Sequence, residues 1–403
     1  MTPSADAIAD CVLAAFEQLP DKRKPRPRTD GSRDEDGELS CVSLGTGMKC
    51  LPQNKLSGAG GNILHDWHAE VVAIRTFNRF LLDECFRISD PHSDSHSVFV
   101  RQRPDLEKTD QEPQSFAIRD NVQIHMYCSE APCGDASMEL TMEAQEDATP
   151  WTSAPPTVTP EALPESAGAL RGRSNFSLLG AVRCKPSRPD APPTLSKSCT
   201  DKLTVKQATS LLSSITSSLV SPHNAYVHSL ILPESQYVPA ACERAFFRTG
   251  RLQGLSDETI QSWRGGYRWQ QFHVRPTSRE FAWSRRGITP AQKAIASNLS
   301  AVWTPSWQET LIGGVLQGRK QTDIRGASKI SRRLTWSFAV QIAAVVGLPA
   351  VREVLTEALY RDVKKHAAFE ARKVVKQDVH GDGLGGWIRN EGDADFGTQT
   401  SFV

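Results

Sequence analysis

The sequence predicts an α/β protein: a mixed β-sheet with helices packed on its faces and an elaborated, largely helical C-terminal half. Three observations carry this. In "NVQIHMYCSE" (121–130), Val122, Ile124, Met126 and Cys128 alternate as a half-buried strand requires. "YVHSLILP" (226–233) is a second apolar run of strand length. Helical patterns fall between and around these, in the order β–α–β–α–α–β, which is how a sheet comes to be covered by helices.

Residues 5–18 read as an amphipathic helix; the N-terminus has no basic n-region and is not a signal peptide. "LPDKRKPRPRTDGSRDEDGELS" (19–40) places Lys22, Arg23, Lys24, Arg26 and Arg28 ahead of an acidic cluster from Asp34 to Glu38. Its prolines and charge density predict an exposed loop. "CVSLGTGMKCL" (41–51) is a strand with a Gly-rich break, and a helix opens at His68. Pro132, in "APCGDASMELTMEA", stands where the first helical residue tolerates proline, so a helix is expected there directly after the strand. Two stretches, near 87–120 and 144–174, read as disordered insertions; the second is rich in Pro, Ala, Ser and Thr. "LSKSCTDKLTVKQATSLL" (195–212) begins another helix, and "EALYRDVKKHAAFEARKVVKQ" (357–377) is the clearest helix of the C-terminal half. No internal repeat divides the chain, and residues 1–403 are expected to form a single domain.

Composition narrows the function. At 39% hydrophobic and 23% charged residues the chain is that of a globular protein with a real core. A net charge of +1 excludes a global basic field, so any contact with nucleic acid must use locally gathered cations. No apolar run approaches the roughly 18–20 residues that span a bilayer, so no membrane role is expected. The nine cysteines lack the dense spacing of a disulfide scaffold, which favours a reducing intracellular compartment, cytoplasm or nucleus. No segment points to an obligate protein partner.

The chemistry starts at "HDWHAEVVAIRTFNRFLL" (65–82), where His68 and Glu70 stand two apart at the head of an apolar run. A catalytic zinc needs three protein ligands and one open position. His68 offers an imidazole, and Cys133 offers a thiolate just after a strand. Zinc deaminases carry H-x-E…P-C-x-x-C, with the glutamate as proton shuttle. Here the second cysteine position is Ala136, so one ligand is missing. Cys199, ahead of a helix, is the best distant candidate; Cys128, on the strand, belongs to the core.

"HAE", "SEAPCGDAS" and "SCTDKL", in that order, resemble the adenosine deaminases that act on RNA, most nearly their tRNA-specific branch. "SLGTGMKCL", "RCKPSRPDA", "IGGVLQG", "GASKISRRL" and "GLGGWI" are similar as well, so the resemblance covers about residues 18–403 outside the two insertions. It implies a cytidine-deaminase-like three-layer α/β/α core. It also implies a zinc ion held by His68, Cys133 and Cys199, whose water has a pKa near 7. Glu70 would be the proton carrier in the hydrolysis of adenosine to inosine. The implied partner is tRNA, reacting at the adenosine just 3′ of the anticodon of alanine tRNA.

The same resemblance implies a buried inositol hexakisphosphate, with Lys49, Arg75, Lys202, Arg332, Tyr360, Lys364, Lys373 and Trp387 at the family's positions. Departures are His65, where messenger-editing relatives have asparagine, and Val205 and Lys206, which replace an arginine–tryptophan pair. Lys206, four residues after Lys202, is placed to supply the missing cation. RNA contacts are expected from Lys22, Arg23, Lys24, Lys185 and Arg188. Two other functions fit parts of this pattern. An editor of messenger or duplex RNA would need duplex-binding modules, and the 67 residues before His68 contain none. A catalytically silent, zinc-stabilised RNA-binding protein would have no use for Glu70.

Overall fold

A computed structural model of the chain describes residues 2–20, 39–89, 96–146, 149, 157–158, 169–173, 175–186, 191–284, 286 and 297–398. Helix α1 (Ala5–Glu17) starts where Ser4 Oγ accepts from the Ala7 N–H, and it buries Ile8, Ala9, Ala15 and Phe16 along one face. Strands β4 (Ile124–Tyr127), β8 (Val227–Pro233) and β9 (His273–Thr277) form a parallel sheet in that order. Parallel neighbours need long crossovers. These carry α4 (Cys199–Thr209) between β4 and β8, and α5 (Pro239–Phe246) and α6 (Asp257–Ser262) between β8 and β9. One face of the sheet takes α1, through Ile8 and Ala9 against Tyr127 and Ile231. On the other side, Leu230 and Leu232 join the main core with Phe246 of α5 and with Phe77, Phe80 and Leu81 of α2 (Ala69–Arg87).

A second sheet is antiparallel, in the order β1 (Leu44–Gly45), β10 (Leu299–Trp303), β11 (Gln308–Ile312), β12 (Val315–Leu316). Helix α2 packs on β1 and β10, so it is buried between the antiparallel sheet and the main core. The chain closes with α7 (Arg332–Val345), α8 (Pro349–Leu355), α9 (Tyr360–Lys365) and α10 (Glu370–Asp382). Of these, α7 lies against α2 and α10 against α4.

The structure is α/β as expected but departs from the sequence reading in four places. The strands fall into separate parallel and antiparallel sheets, and the C-terminal half contributes β9 to β12 as well as helices. These strands are two to five residues long, too short to impose a clear alternation on the sequence. Within 87–120, α2 runs to Arg87, and β2 (Val100–Gln102) pairs with β3 (Phe116–Ile118) as an antiparallel hairpin with Val100, Phe116 and Ile118 buried. Helix α3 (Met138–Glu143) begins later than Pro132, after a 3₁₀ turn over Asp135–Ser137, so Cys133 sits in a loop. The 357–377 helix is broken at His366, whose Nδ1 accepts from the Ala368 N–H and starts a new turn. Most of 144–174 lies outside the described residues. What is described there is β5 (Thr157–Val158), paired with β6 (Ala169–Arg171), which runs parallel to β7 (Arg183–Cys184).

Candidate metal centre and a buried cationic hollow

Three chain segments converge at the C-terminal end of β4. The first is the approach to α2. Its Trp67 and Ala69 N–H groups donate to Lys49 and Gly47 carbonyls at 3.0 and 2.9 Å, and the His68 N–H donates to Asp66 Oδ1 at 3.0 Å. Gly47 has φ +137°, and a Cβ there would run into the Trp67 carbonyl, so this support is open only to glycine. The second segment is the loop after β4, and the third is the start of α4. They are clamped together by Thr200, whose N–H donates to Cys133 O (3.0 Å) and whose hydroxyl donates to Pro132 O (2.8 Å). Gly134, at φ +113°, lets them close, because a Cβ would collide with Ser198.

The result gathers His68, Cys133 and Cys199, whose ligand atoms all lie within 4.8 Å of one another. His68 Nδ1 is 3.8 Å from Cys133 Sγ, and the Cys199 N–H donates to the same sulfur at 3.3 Å. One imidazole and two thiols at this spacing are a donor set suited to zinc. Hydrogen bonding from Cys199 holds the Cys133 thiol well below its ordinary range against the cost of burial, and Lys185 and His68 act in the same direction. A second triad, Cys50, Asp66 and His68, is equally compact. Asp66 is committed elsewhere, however, so the two-thiol set fits better. Cys128 is buried, and burial pushes its thiol well up, as befits a core residue.

Glu70 stands in the first turn of α2, half-buried. Its charge is felt at Cys128 and, within the triad, at Cys199, and its carboxylate has no hydrogen bond among the described residues.

Behind the triad lies a residue whose role the sequence misplaced. Lys185 is buried, 3% exposed, with Nζ donating to Asp66 Oδ2 at 2.7 Å and to Cys199 Sγ at 3.1 Å. Its cation is spent inside the protein, so it is no surface contact for RNA. Its place in β7's continuation, opposite the start of α4, brings it inward; a basic residue in a Pro-rich stretch gave no sign of this. Asp66 also pairs with Lys202 and accepts from Ser196 Oγ at 2.6 Å. Although burial opposes ionisation, these two lysines keep its carboxyl well below the usual range. Lys22, Arg23, Lys24 and Arg188 lie outside the described residues.

Lys202 leads into a second feature. Arg75 of α2, Lys206 of α4, Arg332 of α7, Lys364 of α9, and Arg372 and Lys376 of α10 converge from five helices. Burial pushes Lys206 and Lys364 well below the lysine range, and neighbouring cations press the same way: Arg372, Lys376, Lys364 and Arg75 on the first, Lys376, Arg372, Arg332 and Lys373 on the second. Lys376 is pushed down to about 8 by burial and then by Arg372, Arg389 and Lys197. No carboxylate figures among the principal influences on these three lysines. A buried like-charged cluster is costly unless an anion fills it.

Four of the expected residues, Arg75, Arg332, Tyr360 and Lys364, are drawn into this hollow, as is Lys206. Lys202 borders it while paired to Asp66, and Trp387 stacks on His380 at 4.0 Å with Lys197 above its ring. One is not part of it, and another stands at its edge. Lys49 is exposed and bonds Asn298. Lys373 pairs with Glu370 at 2.7 Å at the edge of the hollow, its charge still reaching Lys364, and Lys376, though exposed, stands close enough to press on Lys206 and Lys364 as well. Arg372 and Lys376 were missed. Their i, i+4 spacing, matching that of Tyr360 and Lys364, was the available signal. His65 pairs with Asp393 at 2.8 Å beside Arg332; burial pushes its pKa down to about 4, so it is neutral near pH 7.

Comparison with known proteins decides the family. The adenosine-deaminase (editase) domain profile matches residues 43–391. The chain belongs to this family. The tRNA-specific adenosine deaminase 1 of Schizosaccharomyces pombe is 33% identical over 402 residues, covering 96% of this chain and 95% of that protein. The Saccharomyces cerevisiae protein of the same name is 32% identical over 229 residues, 51% of this chain and 53% of its own length. A mouse double-stranded RNA-specific adenosine deaminase is 35% identical over 106 residues, 26% of this chain and 8% of that protein. This adenosine deaminase thus resembles a tRNA-specific relative along nearly its full length and a duplex-specific one only locally.

Proposed function

We propose that the protein is a zinc-dependent hydrolase that deaminates adenosine to inosine in tRNA, at the adenosine 3′ of the anticodon of alanine tRNA. The convergence of His68, Cys133 and Cys199 beside Glu70 carries the chemistry. Likeness to a tRNA-specific relative over nearly the whole chain supports the substrate. His68, Cys133 and Cys199 would hold the zinc, whose Lewis acidity lowers the pKa of a water to about 7. Glu70 takes a proton from the attacking water and gives it to N1 of adenine. As oxygen adds at C6, Glu70 carries the second water proton to the amino group, which leaves as ammonia. An anticodon loop already presents bases unpaired, which reduces the few kcal/mol needed to extract the target. We assign the protein to an intracellular compartment and its core to the cytidine-deaminase-like class, with α1 and α5 on opposite faces of the β4-β8-β9 sheet. No helix among the described residues is long and apolar enough to cross a membrane.

Purified protein is to be incubated with alanine tRNA and with a long RNA duplex, and inosine read by reverse transcription and sequencing. Conversion beside the anticodon alone is expected. Conversion of the duplex instead would move the protein to the messenger-editing branch. Cys199→Ala should release most of the zinc measured by elemental analysis; full zinc content in that variant would remove Cys199 from the ligand set.

We assign inositol hexakisphosphate to the cationic hollow, with Arg75, Lys206, Arg332, Lys364, Arg372 and Lys376 as its partners. An unfolded lysine titrates near 10.4. Between about 8 and that value the unfolded chain therefore holds a proton that folded, ligand-free Lys376 has released. Stability of the ligand-free protein should rise with pH across this window. Inositol hexakisphosphate restores the charged lysines and should flatten that rise while raising the melting temperature near pH 7. Identical melting curves with and without the ligand would argue against the assignment.

A further inference from the structure

The metal centre occupies the C-terminal end of the parallel sheet; the other end carries a cleft that deamination does not use. Because β4 and β8 are parallel, the residues just before β8 lie at the end away from Cys133. The length of β8, at about 3.3 Å per residue, makes that separation roughly 20 Å. The cleft there has a volume of about 310 Å³, the low end of the range in which protein clefts hold a ligand, and it is lined by Glu112, His223, Trp263, Arg264, Tyr267 and Arg268.

Its base is fixed. Trp263 is buried, with Nε1 donating to Asp378 Oδ2 at 2.8 Å. The buried Tyr226 hydroxyl accepts from the Arg268 N–H (3.1 Å) and donates to Ala208 O (3.2 Å). Gly265 and Gly266, at φ +71° and +75°, pass closely between Ala371 and Glu112, where a side chain would crowd both neighbours.

Its rim offers planar and cationic groups. The Arg268 guanidinium lies 5.3 Å over the Tyr226 ring and against the His223 imidazole, 3.4 and 3.5 Å from its two nitrogens. His223 and Arg264 are exposed, and Arg264 has no partner among the described residues. Glu112 is the single carboxylate of the lining, its Oε2 3.9 Å from Arg103 Nη2.

Arginine, tyrosine and histidine faces stack on bases, free arginines take phosphates, and a carboxylate accepts from the N–H edge of a base. A simple anion would leave the flat faces unused and meet Glu112 as a repulsion. An unpaired nucleotide uses all three kinds of group. We propose that this cleft holds an unpaired nucleotide of the tRNA outside the anticodon loop, a second recognition point on the same RNA. This rests on tRNA being the substrate. It gives an RNA of that size a second anchor roughly 20 Å from the metal centre, which a free nucleoside cannot reach at the same time.

The test is the affinity of the zinc-loaded enzyme for alanine tRNA, measured by fluorescence anisotropy over a series of salt concentrations. Arg264→Ala with Arg268→Ala is expected to weaken binding about tenfold, in the range that losing a stacked base gives. The slope of log Kd against log salt should fall by about one for each phosphate that the variant no longer holds. Arg264→Ala alone, which disturbs no bond inside the protein, should show part of the weakening, and Arg264→Lys should restore most of it. Ultraviolet crosslinking should join residues 263–268 to a nucleotide beyond the anticodon loop. Unchanged affinity and salt slope in both alanine variants, or a crosslink only to the anticodon loop, would overturn the proposal. Wild-type conversion of alanine tRNA in the same preparation separates the two ideas. If it fails, the substrate assignment falls; if it holds while the variants bind normally, only the cleft assignment falls.

Discussion

Glu70→Ala yields a folded protein that keeps its zinc and loses deamination by about 10³-fold or more. The size follows from the work one carboxylate is given: general acid–base catalysis by a placed side chain contributes on the order of 10²–10⁴-fold, and in the proposed mechanism the same group moves both protons. Retention of the fold follows from the structure, because the carboxylate is half-buried and makes no hydrogen bond among the described residues whose loss would unsettle α2. Glu70→Gln, with the same shape and no proton to exchange, should be nearly as inactive. Inosine formation, zinc content and melting temperature measured together decide the matter. Near-normal turnover in either variant would remove Glu70 from the mechanism, and loss of zinc would make it a structural residue instead.

Asp66→Ala has its largest effect on stability. Lys185 is 3% exposed and Lys202 27% exposed, and both lean on the one carboxylate. Removing one partner of a buried ion pair costs about 3–5 kcal/mol, because the remaining charge stays behind without compensation. The stranded Lys185 ammonium also sits 3.1 Å from Cys199 Sγ, so the same substitution should weaken metal retention. Asp66→Asn keeps the size and the hydrogen bonding of the His68 N–H but not the charge, and should fall between the two. Chemical denaturation with a stated zinc concentration measures the first effect, and a chelator titration the second. In the wild type this contribution is complete above about pH 4 and drains away as pH falls below it, since the folded carboxyl is held below its unfolded value. A cost under about 1 kcal/mol would mean that water or another group takes over from Asp66.

How much of this was legible in the sequence depends on the range of the signal. His68 and Glu70 announce themselves because they stand two apart at the start of one helix, His68 as its cap and Glu70 in its first turn. Cys133 does so because its strand alternates visibly up to Cys128. Cys199 has no local mark of its own beyond a helix start, and only the ordered set of motifs singled it out. Lys185 and Asp66 were out of reach, because their pairing spans 119 residues and leaves no periodic trace. The cationic hollow shows the limit most clearly. Read as one helix, 357–377 puts Tyr360, Lys364 and Lys373 in plausible register. The chain breaks at His366 without proline or glycine, the helical phase is reset, and Arg372 is buried where an unbroken helix gave no reason to expect it, while Lys373 is left at the edge. A break capped by a histidine side chain is a tertiary decision that periodicity cannot see. The short strands β10 to β12 were hidden for a related reason. They owe their form to pairing across the sheet more than to their own residues.

The spacing of His68, Cys133 and Cys199 has a consequence for how the molecule is made, if they hold zinc as proposed. His68 and Cys133 are 65 residues apart, and Cys133 and Cys199 a further 66. An ion gripping all three ties the chain into two large rings, much as a pair of crosslinks would. The ordering entropy of rings that size grows only with the logarithm of their length, so the knot forms once the intervening strands and helices have found one another. Until then both thiols are open to oxidation. A nascent chain that meets zinc late, or meets an oxidant early, risks sealing the wrong pair among its nine cysteines. Yield on refolding should therefore depend on reductant and zinc being present together from the first moment, and not on either one added afterwards.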